Sequence, residues 1–396
     1  MFNWNIKENP IRSIFGMGGG ATSLAVARVI GASLYPFSSF TFTPGGKDGR
    51  DSQPLSDFLA DPSYDTTSNP WLNNTTYFSM PQDGFQLWTV PQDAEYTIAV
   101  TGASGGSISR PGSPNTNFYA EGGGGATISA NFSLTSGTKI LIITGQHGTP
   151  HYRSAWGAAG GGGGTFVLKE NASTNDDIYI IAGGGAGSSY YPGRMPTGNM
   201  NGPNSPGNTT SGGDAQPPYT IPSSYGSVAP GPDGGSYAQG GTNGYGGGGS
   251  VGGGGGGFFG PGGGGPPGIG VGSPYGPHRN GHGYTTSPPI TPAPYRLFGG
   301  HVVGPQPSPS GWSYDTDQGS GGFGGGGASQ PATGYGGGAG GYSGGGGGSW
   351  NGSVQQTGGY GGSYVHPSAT NVTRTAGTNI PSTSQGINGQ VVITKN

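Results

Sequence analysis

The sequence predicts an all-β fold: a β-sandwich with an inserted bundle of polyglycine II helices, plus an extended N-terminal arm. Three observations lead there. Glycine and proline supply 94 and 35 of the 396 residues, about a third of the chain together. Short stretches of alternating apolar residues, bounded by turn residues, recur between residues 40 and 182 and again at the C-terminus. At Ala158–Gly187 the two textures join: a glycine run feeds Thr165–Leu168, a polar turn follows, Ile178–Ala182 reads as a second strand, and glycine resumes. Glycines that abut β-branched and aromatic residues read as packed structure joined to a β-core.

Composition sets limits on this reading. Collagen is excluded, because glycine does not recur at every third position. Low-complexity disorder fits poorly, because aromatics make up 11% of the chain and charged residues only 8%. The net charge is −3, and the 14 basic residues form no cluster, so nothing marks a nucleic-acid partner. No apolar run reaches the roughly 18–20 residues of a membrane span. Cysteine is absent, which removes disulfides and thiolate chemistry. A chain of this size without disulfides fits folding in a reducing cytoplasm followed by display on an assembled particle.

The first segment, 1–38, differs from the rest. Trp4, Ile6, Ile11, Ile14 and Phe15 lead its apolar residues, which are too few to form a core alone. It is expected to be an arm that docks on a partner and folds there. A signal peptide is the alternative: Lys7 and Arg12 precede an apolar stretch, and Ala25 and Ala27 make a small-x-small pair. Glu8 and Gly18–Gly20 weaken that pattern.

The domain proper is 39–396. Phe40–Thr43 alternates as a strand does, Pro44–Gly46 turns, and a polar loop follows. That loop holds a Gly-Lys pair but not a phosphate-binding motif, since Asp48 follows Lys47 and Thr41 occupies the first glycine position. Leu55–Leu59 reads as a short helical turn. Gly84–Pro91 and Glu95–Gly102 read as strands about a Pro-Gln-Asp-Ala turn, with Tyr96, Ile98 and Val100 on one buried face. Ala126–Leu134 and Lys139–Thr144 continue the pattern, and the unbroken Ile140–Ile143 fits a central strand covered on both faces. Gln390–Thr394 supplies the last strand and brings the two ends of the domain into one sheet. The sandwich is therefore assigned to 39–187 and 386–396, with a polyglycine-helix and loop insertion at 188–385.

Within the insertion the glycine runs are nearly pure and punctuated by Tyr245, Phe258, Phe323, Tyr335 and Tyr342, as packing plugs would be. Polyglycine adopts an extended three-fold helix without internal hydrogen bonds, so neighbouring helices must pair with one another. Flexible linkers would mix in more serine.

The ordered set Phe40–Pro54, GFQLWTVP, EYTIAVTGASGG, ATISANFSLTSGTKILIITGQHG, AGGGGGTFVLK, IYIIAGGGAG, GYGGGAGGYSGGGGG, SYVHPSA and GQVVIT resembles the extracellular glycine-rich domain of anaplastic lymphoma kinase and leukocyte tyrosine kinase. It is also similar to glycine-rich domains of phage and large-virus proteins. The resemblance runs from about Phe40 to Thr394. It implies a β-sandwich joined to polyglycine II helices. The chain lacks the receptors' cysteines, membrane span and kinase, so their signalling does not carry over. Phage tail-fibre adhesins offer an architectural analogy, with loops between polyglycine helices contacting the host.

Motifs for chemistry are sparse. IYIIAGGGAGSS fails the dinucleotide-binding frame at Ser188 and is not followed by a helical pattern. His278 and His282 lie four apart among glycine and proline, which disfavours a helix presenting both to a metal. No paired carboxylates or nucleophile elbow can be placed. No enzyme, cofactor or metal is expected. Binding is. The loops at 188–232 and 266–320 are long and aromatic, and Tyr190, Tyr191, Tyr275, His278, Tyr284, Tyr295 and Trp312 are the candidate host-contacting residues. Capping of the glycine bundle is the alternative role for the same side chains. The expected function is a virion structural protein, most simply a phage tail fibre, adhesin or surface decoration. It would join other virion proteins through its arm and meet a host-surface glycan or protein through its loops, and a homo-oligomer is compatible. The rival reading is a secreted or cell-surface ligand-binding protein without catalysis.

Overall fold

The computed structural model describes residues 32–110, 118–150, 157–190, 240–249, 252–263, 319–329, 335–348, 357–378, 380 and 386–396. The strands in chain order are β1 (Ser39–Phe42), β2 (Phe78–Gln82), β3 (Phe85–Thr89), β4 (Ala94–Thr101), β5 (Ile108–Arg110), β6 (Phe118–Ala120), β7 (Thr127–Leu134), β8 (Lys139–Ile143), β9 (Gly157–Ala158), β10 (Thr165–Lys169), β11 (Ile178–Ala182), β12 (Ser189–Tyr190), β13 (Tyr364–Val365), β14 (Thr370–Thr375) and β15 (Gln390–Lys395). The only α-helix among the described residues is Leu55–Ala60, the short turn expected there. The protein is all-β.

Two antiparallel sheets dominate. One has the order β1-β15-β4-β7-β14 and the other β13-β11-β10-β8-β3-β2. Pairing of β1 with β15, Phe40 opposite Ile393, joins the two ends of the domain as the sequence predicts. Tyr96, Ile98 and Val100 on β4 are fully buried, as their alternation requires. They belong to one apolar cluster with Phe42, Ile128, Val391 and Ile393 of the first sheet and Phe78, Trp88, Ile140, Ile142, Val167 and Ile180 of the second. Tyr35 and Phe37 close this cluster against Trp71 and Trp88, with Tyr35 packed 5.4 Å from Trp71.

The second sheet is covered on its other face too. Leu141 and Ile143 of β8 join Phe85, Phe166, Leu168 and Ile181 in a second cluster that contains Phe258, Phe323 and Tyr342 from the glycine-rich stretch. This is why Ile140–Ile143 is an unbroken apolar run: alternate residues serve different clusters. Three of the five aromatic punctuations therefore plug against the sheet, and Tyr335 is also buried. Tyr245 differs from the expectation and is 47% exposed.

Two strands, β13 and β14, lie inside the stretch that the sequence reading gives to the insertion, and each sits at the edge of a sheet. β14, Thr-Asn-Val-Thr-Arg-Thr, faces solvent along most of its length and so carries no apolar alternation to betray it. β2 contains Pro81, tolerated because β2 is an edge strand.

The glycine segments are neither helix nor strand by their own hydrogen bonds, yet their backbones bond extensively to one another. The amides of Ala159, Gly160 and Gly161 donate to Ser188, Thr149 and Gly327, and those of Gly162, Gly163 and Gly164 return to the same three segments at Gly185, Gln146 and Gly324, over 2.9–3.3 Å. The carbonyls of Ala159 to Gly163 accept in turn from Gly337, Gly106, Gly322, Gly340 and Ala103, which belong to two further segments and, for Gly322, to the run on the other side of the 323–325 turn from Gly327. The bonding period is three, and one segment has six neighbours. Gly337–Tyr342 repeats the pattern, donating to Ala159, Gly253 and Gly359, then to Gly162, Gly256 and Gly362. At many of these positions no side chain fits: a Cβ on Gly163 would lie 1.7 Å from the Phe323 carbonyl oxygen, and one on Gly255 1.8 Å from that of Ala339. Glycines within 102–188 and those within 240–363 share this array, so glycine packing crosses residue 188.

Candidate functional site

The strands give the molecule two distinct ends. At one end lie the turns. Leu34 N–H donates to Pro91 C=O, Ser136 N–H to the Asp93 carboxylate, Lys395 N–H to Ser38 C=O and Asn396 N–H to Glu95 C=O. Residue 32, which continues from the N-terminal segment, and the last residue, Asn396, therefore sit at this end. At the other end β4, β8 and β11 run directly into glycine segments, and β7, β10, β13 and β15 emerge from them. The far rim of those segments is built by Ser188, Ser189 and Tyr190, by Gly319 and Ser329 (Ser329 N–H to Gly319 C=O, 2.7 Å), and by Gly252, Gly336 and Gly348.

The predicted binding residues relate to this rim unevenly. Tyr190 is at the rim, on β12, paired with Gly157 of β9. Tyr191, Tyr275, His278, Tyr284, Tyr295 and Trp312 lie outside the described residues, as do the arm residues Trp4, Ile6, Ile11, Ile14 and Phe15. Tyr190, which precedes one of the aromatic stretches, and Gly319, which follows the other, are both on the rim.

One cluster was not read from the sequence. His147, 6% exposed, lies at the junction of sheet and glycine array. Its Nε2 is 3.4 Å from Asp48 Oδ1 in the polar loop after β1, its Nδ1 is 2.9 Å from Gly148 C=O, and its backbone N–H donates to Asn388 Oδ1 at 2.9 Å. Asn388 Nδ2 donates to Asp48 Oδ1 at 2.6 Å, closing the triangle. Burial opposes a charge on His147, but the Asp48 carboxylate and the Gly148 carbonyl outweigh it and raise its pKa. The hydrogen bond from His147 holds the Asp48 carboxyl below the usual range, against partial burial. With both ring nitrogens facing acceptors, the imidazolium form suits the site. The cluster fastens the polar loop and the lead-in to β15 onto residues 146–149. Three residues 340 positions apart at the extremes leave no local sequence signal; the Gly-Lys-Asp-Gly loop was visible only as polar.

In the same segment Gln146 is fully buried, and neither atom of its side-chain amide has a hydrogen-bond partner. Among the described residues no three His, Asp or Glu side chains group as a metal site, and no helix is long and apolar enough to cross a membrane. A scan against protein-family models matches none, and a search of curated proteins finds no similar sequence.

Proposed function

We propose that the protein is a structural component of a virion, a phage tail-fibre adhesin or surface decoration. It docks by its N-terminal arm and displays a rigid glycine-rich domain outward. In this reading the two sheets form a β-sandwich, and the glycine segments are polyglycine II helices, for which the bonding period of three and the six neighbours of residues 159–164 are the support. The observation that carries the functional reading is polarity: residue 32, which follows the N-terminal segment, lies at one end, and Tyr190 and Gly319, each next to a stretch outside the described residues, lie on the rim at the other. A docking arm and a contact surface on opposite ends of a stiff body are what display requires. The sequence resemblance to phage glycine-rich domains points the same way. No catalytic step is part of the proposal.

Mass spectrometry of purified particles tests it. The proposal expects the chain in the particle with the peptide from Met1 intact. A chain that begins near Arg28 in a secreted fraction, and absent from particles, would replace it with the secreted ligand-binding reading.

A further inference from the structure

Residues 46–52 form a polar loop that is pinned at its base and latched at its tip. At the base the Gln53 side-chain amide donates to Gly45 C=O. The tip, Lys47 and Asp48, is exposed and bracketed by Gly46 and Gly49, whose φ values of 76° and 100° suit glycine alone. Three contacts hold the tip down. Asp48 meets the His147 ring, Asn388 Nδ2 donates to Asp48 Oδ1 at 2.6 Å, and Phe323 N–H donates to Gly49 C=O at 2.7 Å.

The latch depends on one proton. His147 Nδ1 is 2.9 Å from Gly148 C=O and Nε2 is 3.4 Å from Asp48 Oδ1, so the imidazolium offers an N–H to each acceptor. A neutral ring has one N–H for the two. Whichever nitrogen keeps it, the other turns a lone pair on an oxygen, and the attraction between ring and carboxylate is gone. Among the described residues Asp48 is the ionised group against the ring, and Lys47 is the other charged neighbour of Asp48. Gly148, Gly386 and Asn388, which meet His147 from the remaining elements, are uncharged. The closed loop also leaves polar groups stranded. Ser52 Oγ at its end and both amide atoms of Gln146, beside His147, are buried without a partner. Gln146 is tied to the loop through Phe323, whose C=O accepts from the Gln146 N–H and whose N–H donates to Gly49. Groups in this condition favour any state in which water reaches them, so the latch holds the loop down against a standing cost.

We propose that residues 46–52 are a pH-operated strap, closed over the junction of sheet and glycine array while His147 is charged and released when the ring loses its proton. The hinge glycines and the side-chain triangle supply the two arrangements, and the charge on His147 selects between them. The sign follows from the folded state. The His147 pKa is raised there, so the closed form is fully favoured below 6.5 and is given up as pH rises through the folded value. Protonation of Asp48 releases the strap as well, but only below 3.8. The strap does not rest on the virion reading.

The test is NMR on the full chain, with the His147 ring followed from about pH 5 to about pH 9 and amide protection measured over the same range. The reporters are the His147 N–H, held by Asn388 Oδ1, and the Phe323 N–H, held by Gly49 C=O. Their protection is expected to fall about tenfold or more as the ring loses its proton, while Ile98 and Ile142 in the two sheets keep theirs. Asp48→Asn retains an acceptor oxygen without the charge and is expected to remove the pH dependence; should that variant not fold, the wild-type titration decides alone. The proposal is overturned by protection at His147 and Phe323 that ignores the titration of the ring, that falls together with protection at Ile98 and Ile142, or that keeps its pH dependence in a folded Asp48→Asn variant.

Discussion

Gly163→Ala is the sharpest probe of how the glycine segments are held. The new Cβ would lie 1.7 Å from the Phe323 carbonyl oxygen, 2.6 Å from its carbon and 2.9 Å from Gly324 Cα. All three are backbone atoms, so no side chain can swing away. Relief requires residues 323–324 to move off residue 163. That endangers Gln146 N–H to Phe323 C=O, Phe323 N–H to Gly49 C=O and Gly164 N–H to Gly324 C=O. At about 1 kcal/mol each, these are worth about 3 kcal/mol. Overpacking strain adds about 1–3 kcal/mol, and the stiffer unfolded chain returns at most about 1 kcal/mol. The expected destabilisation is about 3–5 kcal/mol, a large part of the ~5–15 kcal/mol that holds a typical domain. Gly137→Ala is the control: its φ is +80°, nothing lies within 4 Å of the new Cβ, and backbone strain alone costs about 1–2 kcal/mol. Equilibrium denaturation of both variants decides the matter. If Gly163→Ala is no more harmful than Gly137→Ala, the close packing deduced for residue 163 is wrong.

Other outcomes follow from the same contacts. Phe323→Ala, which removes a buried ring packed near Phe85, is expected to cost about 3–5 kcal/mol in denaturant melts and to loosen the glycine segments from the sheet; a cost under about 1 kcal/mol would contradict that packing. The His147–Asp48 contact gives a pH signature. The raised His147 pKa contributes stability below 6.5 that fades as pH rises through the folded value, and the lowered Asp48 pKa contributes stability above 3.8 that fades as pH falls through its folded value. The melting-temperature gap between wild type and His147→Gln should therefore be widest between 3.8 and 6.5 and narrow on both sides; a gap independent of pH would refute the charged pair. Gln146→Met replaces an unpartnered buried amide with an apolar chain of similar length and is expected to leave stability unchanged or raise it by about 1–3 kcal/mol, whereas a loss in thermal melts would reveal a partner for that amide. Deleting residues 1–31 should abolish incorporation into particles and leave the melting temperature of the remaining domain unchanged, and incorporation of the truncated chain would sink the docking role of the arm.

The sheets were legible because burial imprints period two on the chain. Tyr96, Ile98 and Val100 announce β4, and the absence of alternation at Ile140–Ile143 announces a strand sandwiched between two apolar clusters. β14 was not legible, because an exposed edge strand has no buried face to repeat. The glycine runs were readable as packed by their purity and by Phe258, Phe323 and Tyr342, but the alternation of bonding partners is a property of backbone amides, which all side chains share and no sequence displays. Tyr245 and Phe258 occur in similar glycine surroundings, yet one is exposed and the other buried; the difference lies in a tight turn whose Asn-Gly pair was the available clue. The His147, Asp48 and Asn388 cluster depends on three distant segments meeting, which only the fold supplies. The candidate loops were chosen for aromatic content, and Tyr190 alone among them falls in the described rim.

Hydrogen exchange at the amides of Gly160–Gly164 and Gly337–Gly341 tests most directly whether glycine runs build a rigid scaffold here. Each of these amides donates to the carbonyl of another segment, and the residues are buried. The account predicts protection comparable to that of Ile98 and Ile142 in the two sheets, lost in the same unfolding transition. Exchange at the rate of an unstructured chain, while the sheet amides stay protected, would mean that the glycine runs are linkers and that no rigid body separates the two ends.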